Sequence, residues 1–289
     1  MKHHTIVGGG GTRLRVVETG NPHGQSVLFI HGFSQCSLCW SRQLDSDLAD
    51  DYRLVAMDMR GHGGSDRPRN GYGDTRLWAV DVACVIRELD LHRPVVCGWS
   101  YGPVVTLDYV RHYGDDELGG IHFVAGITKL GSDAAISVLS PEFLGLVPGF
   151  FSSDIDESVR SLDGLLRMCF ARQPATHDLY AMLGYNAWVP PNVRQGLFSR
   201  VVNNDDLLPT IRTPVLITHG ADDAIVNPDV VAQHRSLVRH ADVYMMAGAG
   251  HAPFWDDAAS FNQRLAAFCD EVAQQSGGTS KSARLTVPA

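Results

Sequence analysis

Gly98-Trp99-Ser100-Tyr101-Gly102 sits between an apolar β-branched run, Pro94–Cys97, and a helical pattern, Pro103–His112. No other segment constrains the fold as much. A serine with glycine at i−2 and i+2, leaving a buried-type strand and entering a helix, spells a sharp, strained turn that holds its hydroxyl out as a nucleophile. Such a turn tolerates no side-chain bulk at its flanks, hence the two glycines. The helix that follows turns its free N–H groups and the positive end of its dipole toward the serine oxygen. In a chain with 29 glycines the five-residue pattern alone is weak, and its strand-and-helix context gives it weight.

That context repeats along the chain. Strand-like runs fall at Arg13–Glu18, Ser26–His31, Arg53–Asp58, Pro94–Cys97, Gly120–Ile127, Pro214–His219 and Asp242–Met246. Val27-Leu28-Phe29-Ile30 and Val215-Leu216-Ile217 are continuously apolar, as strands covered on both faces of a parallel sheet must be. Helical patterns fill the gaps at Asp74–Leu89, Pro103–His112, Pro228–Val238 and Ala258–Gln275. The expected fold is therefore α/β, a doubly wound and mostly parallel sheet. With 289 residues, 44% of them hydrophobic and 19% charged, the chain can bury a core of that size.

The alternation stops between Thr128 and Pro209. Short helical pieces (Glu157–Ala171, Asp178–Leu183, Val193–Asn203) alternate there with Pro141, Pro148, Pro174 and Pro190-Pro191. We read 128–209 as a helical cap inserted into a core made of 1–127 and 210–275, with 276–289 as a mobile tail. A net charge of −8 argues against a nucleic-acid or anionic-membrane partner. No stretch approaches the roughly 20 apolar residues of a membrane span. The start leads into Gly8–Gly11 rather than an apolar signal core, so the expected location is cytoplasmic.

Two features invite chemistry without requiring it. Cys36 and Cys39 form a Cys-x-x-Cys, but no second pair exists to complete a zinc ribbon; loop packing and a redox role both fit the spacing. The glycine run at 8–11 lacks Gly-Lys-Ser/Thr and precedes a strand, so it reads as a hairpin turn rather than a phosphate loop.

Ser100 needs a base. Gly248-Ala249-Gly250-His251 follows the last strand and precedes the last long helix, which puts His251 at the carboxyl edge of the sheet, where catalytic groups of open α/β sheets gather. His31, His62 and His219 also lie at strand ends and are read as loop braces. An orienting carboxylate is available after strand Pro214–His219, where Asp222 and Asp223 compete.

Taken together, these segments resemble the α/β-hydrolase superfamily over about 1–275, particularly its haloperoxidase-like and carboxylesterase-like members with a small cap. The resemblance rests on His31-Gly32-Phe33, on Asp58-Met59-Arg60-Gly61-His62-Gly63-Gly64-Ser65, on the serine turn, and on the acid and histidine loops in the order Ser…Asp…His. It implies that the acid is Asp223, the last residue of His219-Gly220-Ala221-Asp222-Asp223, with Asp222 shaping the turn. It also implies an oxyanion hole built from the backbone N–H groups of Phe33 and Tyr101. Pro103 departs from the small residue usual there but suits a first helical turn. Ser34 stands where perhydrolases of the family often carry proline, which tilts the expectation toward ester hydrolysis.

The implied activity is that of a serine carboxylesterase acting through an acyl-enzyme, with Ser100, His251 and Asp223 as the working residues and no cofactor or metal. Its partner would be a small ester, in a mainly apolar pocket near Phe33, Trp40 and Tyr101. Serine-dependent lactone opening, perhydrolysis or carbon–carbon bond hydrolysis, and a slow-turnover small-molecule receptor, are the alternatives on the same fold. Ser100 disfavours dehalogenase and most epoxide hydrolase chemistry, which uses an aspartate at this turn.

Overall fold

A computed structural model describes residues 1–279. Among the described residues ten strands are formed: β1 (Lys2–Val7), β2 (Arg13–Gly20), β3 (Ser26–Ile30), β4 (Arg53–Met57), β5 (Val95–Trp99), β6 (Gly120–Val124), β7 (Lys129–Leu130), β8 (Val202–Asn203), β9 (Val215–Gly220) and β10 (Asp242–Met246). Eight of them make one sheet in the order β1-β2-β4-β3-β5-β6-β9-β10, and β7 pairs with β8 apart from it. β1–β2 and β2–β4 are antiparallel, and every pair from β4 to β10 is parallel.

The apolar runs occupy the middle of the sheet. β3, β5, β6 and β9 are buried at every residue. One row, Leu28–Val96–Ile121–Val215, crosses all four strands in register. β10 lies at the edge and is mostly exposed or half-buried, which is why its sequence alternates less apolar residues. β1 is a strand that the sequence pattern did not disclose: His3 and His4 interrupt its apolar character, and only Ile6 is buried.

Among the described residues eight helices are longer than a single turn: α1 (Thr75–Glu88), α2 (Gly102–Tyr113), α3 (Pro141–Phe150), α4 (Ile155–Met168), α5 (Thr176–Ala187), α6 (Pro191–Phe198), α7 (Val230–Leu237) and α8 (Ala258–Thr279). α1 starts where Asp74 accepts a hydrogen bond from the Arg76 N–H at 2.9 Å, and it buries Trp78, Val82 and Val85 as its spacing predicts. The glycine run closes the β1–β2 hairpin. Its Gly9 N–H donates to Asp81 at 2.8 Å, and Asp81 in turn takes both arms of Arg60 at 2.7 Å, so a fully buried ion pair pins the hairpin to α1.

α3 to α6 all lie between β6 and β9. Sequence reading treats Pro141 and Pro148 as separators, and the structure corrects this, because both belong to α3. Pro141 occupies the first turn, where a missing N–H costs nothing, and Ser140 accepts from the Phe143 N–H at 3.2 Å. Pro148 falls in the last turn, where it removes one bond at a fraying end. Residues 276–279 extend α8 beyond the boundary expected at 275, and the remainder of the expected tail lies outside the described residues. No helix among the described residues is long and apolar enough to cross a membrane.

Candidate active site

The turn after β5 has the strain its sequence implies. Ser100 sits at φ 56°, in the left-handed region that non-glycine residues enter rarely. It is held there by its own N–H donating to the Val124 carbonyl at 2.9 Å and its carbonyl accepting from Ile127 at 3.0 Å. The flanking glycines are steric necessities. A Cβ on Gly98 would stand 2.7 Å from the Gly102 carbonyl carbon, and one on Gly102 would stand 2.5 Å from the Ile30 carbonyl oxygen.

Ser100 and His251 come from opposite halves of the chain and meet at the carboxyl edge of the sheet. The Ser100 hydroxyl lies 2.8 Å from His251 Nε2, and His251 Nδ1 lies 2.8 Å from Asp223 Oδ2. An ionised carboxylate can only accept, so Nδ1 carries the proton and Nε2 accepts from the serine. Trp99 fixes the histidine loop by donating its indole N–H to the His251 carbonyl at 2.7 Å. Asp222, one residue from Asp223, is exposed and uses its backbone N–H on Ala249 at 2.9 Å. The structure thus brings together Ser100, His251 and Asp223, and leaves Asp222 aside.

Asp223 is held on both oxygens. Oδ1 accepts from the Ile225 and Val226 N–H groups at 2.8 and 3.0 Å, and Oδ2 accepts from His251 and, at 3.0 Å, from His219 Nε2. Burial works to raise its pKa, but the His251 charge and the hydrogen bonds from His219 and His251 outweigh burial and hold the carboxyl well below its ordinary range. His219 also donates to the Val226 carbonyl at 3.1 Å, so it is the loop brace expected of it and a second imidazole on the acid as well. The His-Gly-x-x-Asp spacing carried that signal: four residues bring a strand-end side chain back over the turn. His31 and His62 do brace loops: His31 Nε2 accepts from the Met59 N–H at 3.0 Å, and His62 Nδ1 donates to the Arg60 carbonyl at 2.9 Å.

The backbone N–H groups of Phe33 and Tyr101 have no acceptor among the described residues. Tyr101 is the residue that precedes and caps α2, so its amide lies at the positive end of a three-turn helix. Phe33 lies in a loop bent by Ser34, whose φ of 60° is closed to proline, the residue perhydrolases often carry there. The Ser34 hydroxyl donates to the Asn186 carbonyl at 3.3 Å, tying this loop to α5. The Phe33 ring packs on Phe198 at 4.8 Å and Phe150 at 5.5 Å, so a residue of the core loop is clasped by α3 and α6.

An apolar cavity of about 60 Å³ opens onto Ser100 and His251, walled by Phe33, Trp99, Tyr101, Phe143, Phe198 and aliphatic side chains. No charged side chain lines it apart from His251 when protonated. Trp40, expected at its mouth, is instead fully buried in the core against Phe29 and Phe254, with ring centroids at 4.8 and 4.3 Å. Tyr101 turns its hydroxyl away from the cavity, donating to the Leu197 carbonyl at 3.3 Å and accepting from Arg200 at 3.1 Å; Arg200 is itself paired with Asp108 at 2.6 Å. All six cysteines are buried free thiols; burial pushes Cys36 up to about 12 and holds Cys39 well above its ordinary value, which suits packing rather than redox chemistry. Among the described residues no group of three or more His, Cys, Asp or Glu side chains could hold a metal ion.

The comparisons with known proteins agree with this architecture. The AB hydrolase superfamily protein YisY of Bacillus subtilis is 26% identical over 260 residues, covering 85% of this chain and 92% of the relative. A non-heme chloroperoxidase of Streptomyces lividans is 26% identical over 283 residues, covering 91% of this chain and 98% of the relative. Among solved structures, the esterase RhEst1 from a Rhodococcus species superposes with a TM-score of 0.89 at 33% identity, covering 94% of this chain and 100% of that one. The model of the alpha/beta hydrolase family matches residues 27–264, a span that holds the serine turn, the acid loop and the histidine loop, and the chain belongs to that family.

Proposed function

We propose that the protein is a serine carboxylesterase for small to medium, neutral esters. The observation that carries this reading is the hydrogen-bonded chain from Asp223 through His251 to Ser100, ending at an uncharged apolar cavity. Ser100 attacks the ester carbonyl while His251 Nε2 takes its proton, and Asp223 keeps the imidazole in the correct tautomer and stabilises the imidazolium. The oxyanion forms between the Phe33 and Tyr101 N–H groups, each worth on the order of 3 kcal/mol of transition-state stabilisation. His251 returns the proton to the departing alcohol, and a water, activated by the same imidazole, then cleaves the acyl-enzyme. This chemistry uses no cofactor or metal.

The segment 128–209 is, in this reading, a cap over the cavity. Leu130, Leu139, Phe143, Leu165, Cys169 and Phe198, all from that segment, supply six of the sixteen residues of the cavity wall and shield the reacting carbonyl from bulk solvent. The test is a kcat/KM series over p-nitrophenyl esters from acetate to decanoate, with a lactone and an amide beside them. Steady turnover that peaks at a short acyl chain supports the reading. Single-turnover release would instead indicate a receptor, and a lactone turned over faster than every ester would move the assignment to lactone opening.

A further inference from the structure

Four carboxamide side chains are buried in this protein: Gln35, Gln43, Asn186 and Asn204. Three of them donate to protein acceptors. Gln43 Nε2 reaches the Phe254 carbonyl at 3.0 Å and Asn262 at 2.9 Å, Asn186 Nδ2 reaches Met182 at 2.8 Å, and Asn204 Nδ2 reaches Thr128 at 3.0 Å. Gln35 differs. The residue is 3% exposed and its side chain makes no hydrogen bond to any described residue, although its backbone N–H closes a turn onto the Gly32 carbonyl at 3.3 Å. Both amide atoms keep some accessible surface, and the residue stands between two spaces, the cavity at Ser100 and a smaller one of about 10 Å³ walled by Cys39, Leu166, Met182 and Tyr185, of which only the first reaches the reacting groups.

The rest of the wall makes this amide stand out. The Trp99 indole N–H is committed to the His251 carbonyl, and the Tyr101 hydroxyl to Leu197 and Arg200. Apart from Ser100, His251 and the weakly bonding Cys169 thiol, Gln35 is the one lining side chain among the described residues with hydrogen-bonding capacity to spare. The loop that carries it is fixed on either side, by Ser34 at φ 60° and by the Ser37 N–H donating to Asp58 at 2.7 Å. A buried amide held in place and left unpaired by the protein favours a ligand group that pairs with it, and disfavours one that cannot.

We propose that Gln35 recognises a second, neutral hydrogen-bonding group on the substrate, so that the preferred esters carry a hydroxyl or carbonyl close to the scissile bond. This inference rests on the esterase reading and narrows it. The complement of a carboxamide is a hydroxyl or a carbonyl. A carboxylate does not fit, because the wall offers no cation and desolvating a charge there is costly. Ser100 and Gln35 line the same cavity, so the second group belongs within reach of the scissile bond.

The test compares ethyl butanoate with ethyl 3-hydroxybutanoate, ethyl 3-oxobutanoate and monoethyl succinate by pH-stat, each rate divided by that ester's alkaline hydrolysis rate. The wild-type protein should favour the hydroxy or oxo ester over the plain one by roughly tenfold in kcat/KM, the value of one satisfied hydrogen bond, and should disfavour the succinate. In Gln35→Leu and, independently, Gln35→Met, the normalised ratio should fall to near one whatever the absolute rates. A wild-type ratio already near one overturns the inference and leaves the esterase reading standing. So does a ratio that survives in both variants. Absence of turnover of all four esters and of the p-nitrophenyl series overturns the esterase reading and this inference with it.

Discussion

Lowering the pH from 7.5 to 5 should strongly destabilise this protein, because its buried histidines lose more than Asp108, the carboxyl that burial raises to about 6, gives back. Four histidines, His31, His62, His122 and His234, are buried, and burial pushes their pKa values from the ordinary 6.5 down to about 4, 3, 3 and 4, with His31 adding repulsion at His62. The folded state therefore binds fewer protons than the unfolded chain. Stability is complete above the ordinary value and is lost as the pH falls through it toward the folded values. Between pH 7.5 and 5 each histidine costs about 2 kcal/mol, so the four together remove about 8 kcal/mol, comparable with the whole stability of an ordinary domain. Urea unfolding followed by tryptophan fluorescence across this range measures the slope. His122→Gln assigns it, because His122 lies in β6 away from Ser100, bonded to Thr218 at 2.8 Å and stacked on Phe261. The variant starts less stable but should lose about 2 kcal/mol less over the same interval. A wild-type stability flat from pH 7.5 to 5, or a variant slope equal to the wild-type slope, would refute the reasoning.

Other outcomes follow from the site. Ser100→Ala should lower ester turnover by about 10⁴-fold or more with the thermal transition nearly unmoved, since the hydroxyl bonds only to His251; near-native turnover in that variant would sink the mechanism. Asp223→Asn should lose at least about a hundredfold in kcat by favouring the wrong imidazole tautomer, while Asp222→Asn, on an exposed side chain, should stay within about tenfold; kinetics of the pair reads the ranking directly. Ser34→Pro should fold poorly or lose about 3 kcal/mol, because proline cannot take the φ of 60° found there, and a melting temperature equal to wild type would show that the loop is free to rearrange.

What could be read from the sequence divides along a physical line. Local steric demands leave signatures: the serine turn needs bare flanks, and Gly98 and Gly102 supply them against Gly102 and Ile30 backbone. A strand buried on both faces must be apolar throughout, so β3, β5 and β9 were legible as written. Demands met across the chain leave none. β1 takes its strand form from pairing with β2 rather than from its own residues. α3 holds two prolines that local rules take as breaks, and it persists because its ends tolerate them and its Phe143 and Phe150 bury against Phe198. Trp40 looked like a pocket aromatic until Phe254, more than 200 residues on, covered it.

The same line runs through the site. The proposed nucleophile is signalled by strain at one turn, and the proposed base by its place at the sheet edge. Asp223 stands out from Asp222 in the sequence only through the resemblance to the family's His-Gly-x-x-Asp pattern, because the two differ only in which way the turn sends the side chain. Gln35 had no signal at all: a glutamine in a loop is ordinary, and it becomes informative only when every neighbouring polar group is found to be spoken for. Phe33 joins the two kinds of information. Its amide faces the reacting carbonyl in the proposed mechanism, while its ring is clasped by Phe150 and Phe198 from the inserted helices. A displacement of those helices would therefore move an oxyanion donor as well as the cavity wall, coupling access to the cavity with competence of the site.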